Sequence, residues 1–182
     1  HPAVGVGSGE EAVGALLGAC VAMLKVLADP YNQLPAITFW LLGSLAAAAP
    51  ADLASALPAI AIGLVPLWLL RWRVNLLSLG DEEARAMGVE TTRVRLAVIA
   101  SATLMTAAAV SISGIIGWIG LVIPHFARLA VGPDFSRLMP VSAILGAAFL
   151  LLVDTLARTT ARIEIPLGVL TAFVGTPLFL WQ

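Results

Sequence analysis

Charge is scarce in this chain, and so are most side chains that polar chemistry needs. Lys, Arg, Asp and Glu make up 12% of 182 residues, against 60% hydrophobic; ordinary globular chains are about 25% charged and about 45–50% apolar. So little charge excludes an ordinary soluble domain. Ten basic residues against eleven acidic ones give a net charge of −1, without the basic stripe of a nucleic-acid binder. The single cysteine, Cys20, lies in an apolar segment, which leaves neither a disulfide framework nor a CxxC site. Two histidines, one of them His1, cannot supply a His/Cys metal cluster, and no cofactor site is read. No G-x-x-x-x-G-K-[ST] phosphate loop is present, so ATP hydrolysis is not expected of the chain itself. The opening HPAVGVGSGEE lacks the basic-then-apolar order of a signal peptide and also an initiator Met. Residues 1–11 are read as a flexible lead-in, with further sequence expected upstream.

What is abundant is apolar length. Mean hydropathy is +0.99, and runs long enough for a hydrocarbon core of about 30 Å recur. Segments at 12–28, 52–72, 95–113, 115–131, 140–160 and 166–182 supply about five transmembrane helices. The expected fold is all-α, a polytopic integral membrane bundle forming one transmembrane domain over 12–182. Residues 34–49, LPAITFWLLGSLAAAA, fall short of a span and carry interfacial aromatics, so they read as a short re-entrant or interfacial helix. Asp29-Pro30 breaks the chain before it. Asp52 can cap the next helix, and Pro58 and Pro66 interrupt that helix's interior.

The longest polar run, LGDEEARAMGVETTRVR over Leu79–Arg95, separates two apolar segments. Ser78-Leu79-Gly80-Asp81 fits a capping box. Asp81, Glu82 and Glu83 suit a first turn, and Gly88 suits the left-handed residue that ends a helix. The pattern predicts a short charged helix inside a loop at 78–92. Five arginines lie at 71–95, and Arg128 and Arg137 lie in the loop at 125–138. Two successive spans separate these loops, which puts both on the cytoplasmic side. Arg158 and Arg162 then fall on the opposite side, against the charge rule; internal pairing, Arg158 with Asp154 or Arg162 with Glu164, is one account of them. Gly114, Gly117 and Gly120 recur at three-residue spacing, which predicts a face that another backbone approaches. Pro124 is expected to kink or end its helix near His125. His125 itself reads as a capping or packing residue.

The run SLGDEEARAMGV, followed by GIIGWIGLVIPHFARLAVGPD, RLMP and IPLGVLTAFVGTPLFL, resembles the C-terminal half of ABC importer permeases. The subgroup serves iron-siderophore, haem and vitamin B12 uptake and is called the FecCD family. The resemblance runs from about Phe39 to Gln182. It implies that Gly80, Asp81, Glu82, Glu83, Ala84, Arg85 and Gly88 belong to a coupling helix seated in an ATPase subunit. It also implies that Arg158, with Arg162 beside it, docks a substrate-binding protein, and that the loop 132–138 lies on the ATPase side. The implied partners are an ATP-binding subunit, a substrate-binding protein, a second permease copy and the lipid bilayer, in the plasma or inner membrane. The family has about ten spans and this chain about half of them, which keeps a truncated or inactive permease remnant as an alternative. A secondary transporter would need intramembrane acids, of which only Asp154 qualifies. An embedded hydrolase would need a nucleophile with a base, which His125 and scattered serines supply poorly.

Overall fold

A computed structural model describes residues 3–45, 48–160 and 166–180. The described residues are helical throughout, joined by short turns, and fall into two units, 1–41 and 42–182.

The first unit holds α1 (Ala3–Leu27) and most of α2 (Gln33–Leu42). α1 starts well before the apolar pattern does, so residues 3–11, read above as a flexible lead-in, are helical. A helix satisfies its backbone groups internally whatever its side chains, and glycine raises its cost without forbidding it. Asp29 makes the expected break: its carboxylate accepts the backbone N–H of Asn32 at 3.2 Å, and its carbonyl accepts that of Leu34 at 2.9 Å. α2 has ten residues, about 15 Å of rise and half a hydrocarbon core. Val21, Leu24, Ala36, Ile37, Trp40 and Leu41 of these two helices line an apolar crevice of about 360 Å³.

The second unit is built on two helix groups. α3 (Pro50–Leu69) and α6 (Thr91–Ser113) pack side by side as one hairpin. Gly63 of α3 makes this possible, because a Cβ there would run into Met105 and come within 2.9 Å of the Ser101 carbonyl. Small residues are the usual means of close helix contact in lipid. Asp52 sits three residues inside α3 rather than before it, and its carboxylate reaches back to the Ala49 N–H at 2.9 Å. α3 continues through Pro58 and Pro66. Between α3 and α6 lie two short helices, α4 (Arg71–Leu77) and α5 (Asp81–Ala86).

α7 (Ile119–Val131), α8 (Phe135–Thr160) and α9 (Leu167–Leu180) form the other group. Val153, Ala157 and Leu167 are its buried centre, flanked by Leu45, Ile116, Phe149 and Leu170. Of the three-residue glycine pattern only the Gly114 end meets another backbone: Gly114 is buried, and the Ser44 N–H bonds the Ser113 carbonyl beside it at 2.9 Å, whereas nothing from elsewhere in the described residues comes within 4 Å of a Cβ placed at Gly117 or Gly120. Gly117 precedes α7, and Gly120 lies in its first turn. The close approaches fall instead at Gly168, whose Cβ would strike the Leu42 carbonyl, and at Gly43, whose Cβ would lie 2.6 Å from the Ile115 carbonyl. α7 also runs on past Pro124 to Val131. The proline sits in the second turn, so only one carbonyl, that of Gly120, loses its partner.

Pro50–Leu69, Thr91–Ser113 and Phe135–Thr159 are long and apolar enough to cross a membrane, and Gln33–Leu42 and Ile119–Val131 are shorter apolar helices. The chain is a multi-pass membrane protein.

Candidate functional site

α5 is the polar stub that the charged run predicts, but it is built differently. Its N-cap is Gly80, at φ +122, not Ser78. The Ser78 hydroxyl donates instead to the Asn75 carbonyl at 2.6 Å, closing α4, so the capping box does not form. Two helices end and begin within four residues there, and the serine serves the earlier one. The other end matches expectation. Gly88 stands at φ +80, its N–H reaches the Arg85 carbonyl, and the Val89 N–H reaches the Ala84 carbonyl. Those two bonds are a Schellman motif, which satisfies the last carbonyls of the helix.

The stub has its own small core. Ala84 is fully buried and packs with Val89 and Val94, bordered by Val74, Leu76, Leu77 and Val98 from α4 and α6. Ala84, grouped above with the coupling residues, is therefore the foot of α5 and faces the protein. Two polar contacts add orientation. Asp81 pairs with Arg95 at 2.8 Å, and Arg85 Nε donates to the buried Thr91 hydroxyl at 3.2 Å. What remains on the outside is Gly80, Glu82, Glu83, Arg85, Ala86, Met87 and Gly88. Met87 is 47% exposed, an adaptable apolar side chain at the tip of a charged helix and one suited to a protein contact.

Two residues that the charge pattern did not single out connect this stub to α8. Asn75 of α4 donates through Nδ2 to the Asp134 carboxylate and accepts the Phe135 N–H at 2.7 Å through Oδ1. Asp134 caps α8: its carboxylate also accepts the Ser136 N–H at 2.9 Å, and its carbonyl accepts that of Leu138 at 2.8 Å. The Asn75 and Ser136 hydrogen bonds hold the Asp134 carboxyl below its ordinary value of 3.8, with a smaller contribution from Arg137. The loops at 71–95 and 125–138 therefore meet at one end of the bundle, as the arginine counting requires.

Arg158 lies near the other end of α8, about 35 Å away at 1.5 Å per residue. It bonds Asp154 one turn earlier at 2.8 Å, and its side chain is still 55% exposed. An exposed pair of this kind contributes about 0.3–0.5 kcal/mol, so Arg158 is held in position without being buried. Arg162 and Glu164 lie outside the described residues. His125 meets Phe126 edge to face at 6.2 Å between ring centres. No group of three His, Cys, Asp or Glu suited to a metal occurs among the described residues.

The sequence pattern of the FecCD transport family matches residues 11–182. A "Probable iron chelatin transport system permease protein" of Helicobacter pylori is 41% identical over 93% of this chain and 52% of its own length. The molybdate import permease MolB of Haemophilus influenzae is 42% identical over 90% of this chain and 49% of its own. The cobalamin import permease BtuC of Halobacterium salinarum is 42% identical over 93% and 45%. A metal-chelate type ABC transporter solved in an inward-facing conformation superposes with a TM-score of 0.83 at 41% identity, over 91% of this chain and 54% of that one. The chain thus spans about half the length of the relatives it matches.

Proposed function

Since the chain belongs to the FecCD transport family, we propose that it acts as the permease subunit of an ATP-driven, binding-protein-dependent importer in the plasma or inner membrane. The cargo class is an iron complex, such as a siderophore or haem, or cobalamin. α5 couples it to a separate ATP-binding subunit, which carries out the hydrolysis. A substrate-binding protein delivers the cargo at the Arg158 end, with Arg162 beside it, and a second permease copy completes the pathway. The observation that carries this reading is the build of α5. A loop that merely joined two spans would not need a Schellman-capped helix with its own buried foot and an exposed face of Glu82, Glu83, Arg85 and Met87.

The mechanism follows from rigidity. A force on the exposed face of α5 passes through Ala84, Val89 and Val94 into α4 and α6, because close-packed cores transmit displacement. ATPase closure shifts a two-state bundle only by the difference in its contacts with the two states. Rigid seating of α5 is what makes such a difference available. Arg85→Glu reverses the charge at the centre of the exposed face, and replacing Gly88 strains the end of α5. Either variant is expected to uncouple ATP hydrolysis from uptake in proteoliposomes, and undiminished uptake with either would falsify the assignment.

A further inference from the structure

We propose that Asn75 and Asp134 form the linkage that makes the α4–α5 platform and the end of α8 move as one body. This rests on the reading of α5 as the coupling helix and extends it to a helix that α5 does not touch through its own core.

The geometry is specific. The first backbone donors of any helix lack partners within it. At α8 the second is taken by the Asp134 side chain and the first by Asn75, which reaches across from α4. The Asn75 amide thus uses its acceptor on the Phe135 N–H and its donor on the Asp134 carboxylate, spanning 59 residues of sequence. Asn75 is half-buried, where an unmatched donor or acceptor is costly, whereas the Asp134 side chain is 45% exposed and can be solvated. Asn75 follows Arg71 and Arg73 on a seven-residue helix whose next neighbour is α5. Displacement of α5 passes into α6 directly and into α4, and α4 carries it to Asn75. The ionised Asp134 end of the linkage supplies a charge-assisted bond, stronger than one between neutral groups.

The consequence is that α8 takes part in the switching stroke. Its far end carries Arg158, so ATP-side movement and the opposite end share one 26-residue rod. Without the linkage, α5 is displaced and α8 stays behind.

The test uses an exchange of chemistry between the two positions. Asn75→Asp sets two carboxylates against each other, with no donor between them. Adding Asp134→Asn restores a donor on one side and acceptors on the other. Asn75 and Ser136 both donate to Asp134 Oδ1, so an amide at position 134 turns its NH2 toward the new carboxylate and gives up the Ser136 N–H, while the carboxylate placed at position 75 still accepts that of Phe135. The intact permease is assembled with its ATP-binding subunit and binding protein in proteoliposomes, and ATP hydrolysed per substrate moved is measured. For N75D that ratio is expected to rise about tenfold, and the N75D/D134N pair, which restores the link across to α4 but not the Ser136 bond, should bring it part of the way back. A residue that only aids folding would lower both rates together and leave the ratio alone. Should N75D fail to reach the membrane, Asn75→Leu, which removes both bonds and keeps the same branched outline, reads the same ratio. An unchanged ratio in the single variants, or an exchanged pair no better coupled than N75D, overturns the linkage. If the unsubstituted assembly shows no ATP-dependent uptake at all, the coupling reading itself fails, and the two failures are told apart.

Discussion

Single residues decide where α5 begins and ends. Gly80 and Gly88 occupy positive-φ backbone, at φ +122 and +80, and Gly80, with ψ 157, lies in a region essentially confined to glycine; a side chain at such positions costs about 1–3 kcal/mol. Gly88 was readable from its place after a charged helix. Gly80 was not, because Ser78 offered a commoner capping residue and only the ending of α4 withdraws it. Asp134 makes a prediction at this scale. Its folded value lies below 3.8, so its contribution to stability is complete above that pH and is lost as pH falls through the depressed value. Asn75→Leu removes the largest cause of the depression and should move that loss upward toward pH 3.8. Near-UV circular dichroism during acid titration of the solubilised protein measures it. Identical acid midpoints would show that Asn75 does not hold the carboxyl.

At the scale of the element, α5 is too short to be stable alone. Six residues close few helical bonds, and isolated helices below about 12–15 residues are marginal in water. Its stability comes from Ala84 packing into Val89 and Val94. Ala84→Leu overfills that contact and is expected to destabilise the platform by about 1–3 kcal/mol. ATPase binding should weaken while the long spans stay folded, since the change touches neither the exposed face of α5 nor the interior of the bundle. Unchanged affinity in a pull-down with the ATP-binding subunit would show that α5 does not need its foot. The surface pairs contribute less. Arg93 with Glu90 is largely exposed on both sides and belongs to the class worth about 0–1 kcal/mol.

For the whole molecule, the informative axis is α8. One end is tied to the α4–α5 platform through Asn75, and the other presents Arg158 beside Asp154. The sequence left two readings of Arg158, docking or an internal pair, and the structure shows that pairing does not remove its exposure. Function separates them. If Arg158 docks the binding protein as proposed, Arg158→Glu should abolish the stimulation of ATP hydrolysis by it, because the exposed positive charge offered to the partner is reversed. Asp154→Asn removes only the internal pair and should leave most of that stimulation. Equal loss in both variants would assign Arg158 to the local pair instead.

Much of this protein was determined by sequence alone: an all-helical membrane chain, its main apolar segments, its polar stub and its family resemblance. Those properties are local. In a bilayer every backbone group must be satisfied within its own segment, so apolar length specifies a helix without reference to neighbours. Turn chemistry at Asp29 and Gly88 is equally local. Only the tertiary structure decided which glycines carry close contacts, that Ala84 faces inward, and that Asn75 reaches Asp134. Each depends on which segment lies opposite, and a glycine repeat or a lone asparagine reads the same whether a neighbour is there or not. Gly168 shows the physical reason most plainly: its missing side chain matters because the Leu42 carbonyl, more than a hundred residues earlier, occupies that space.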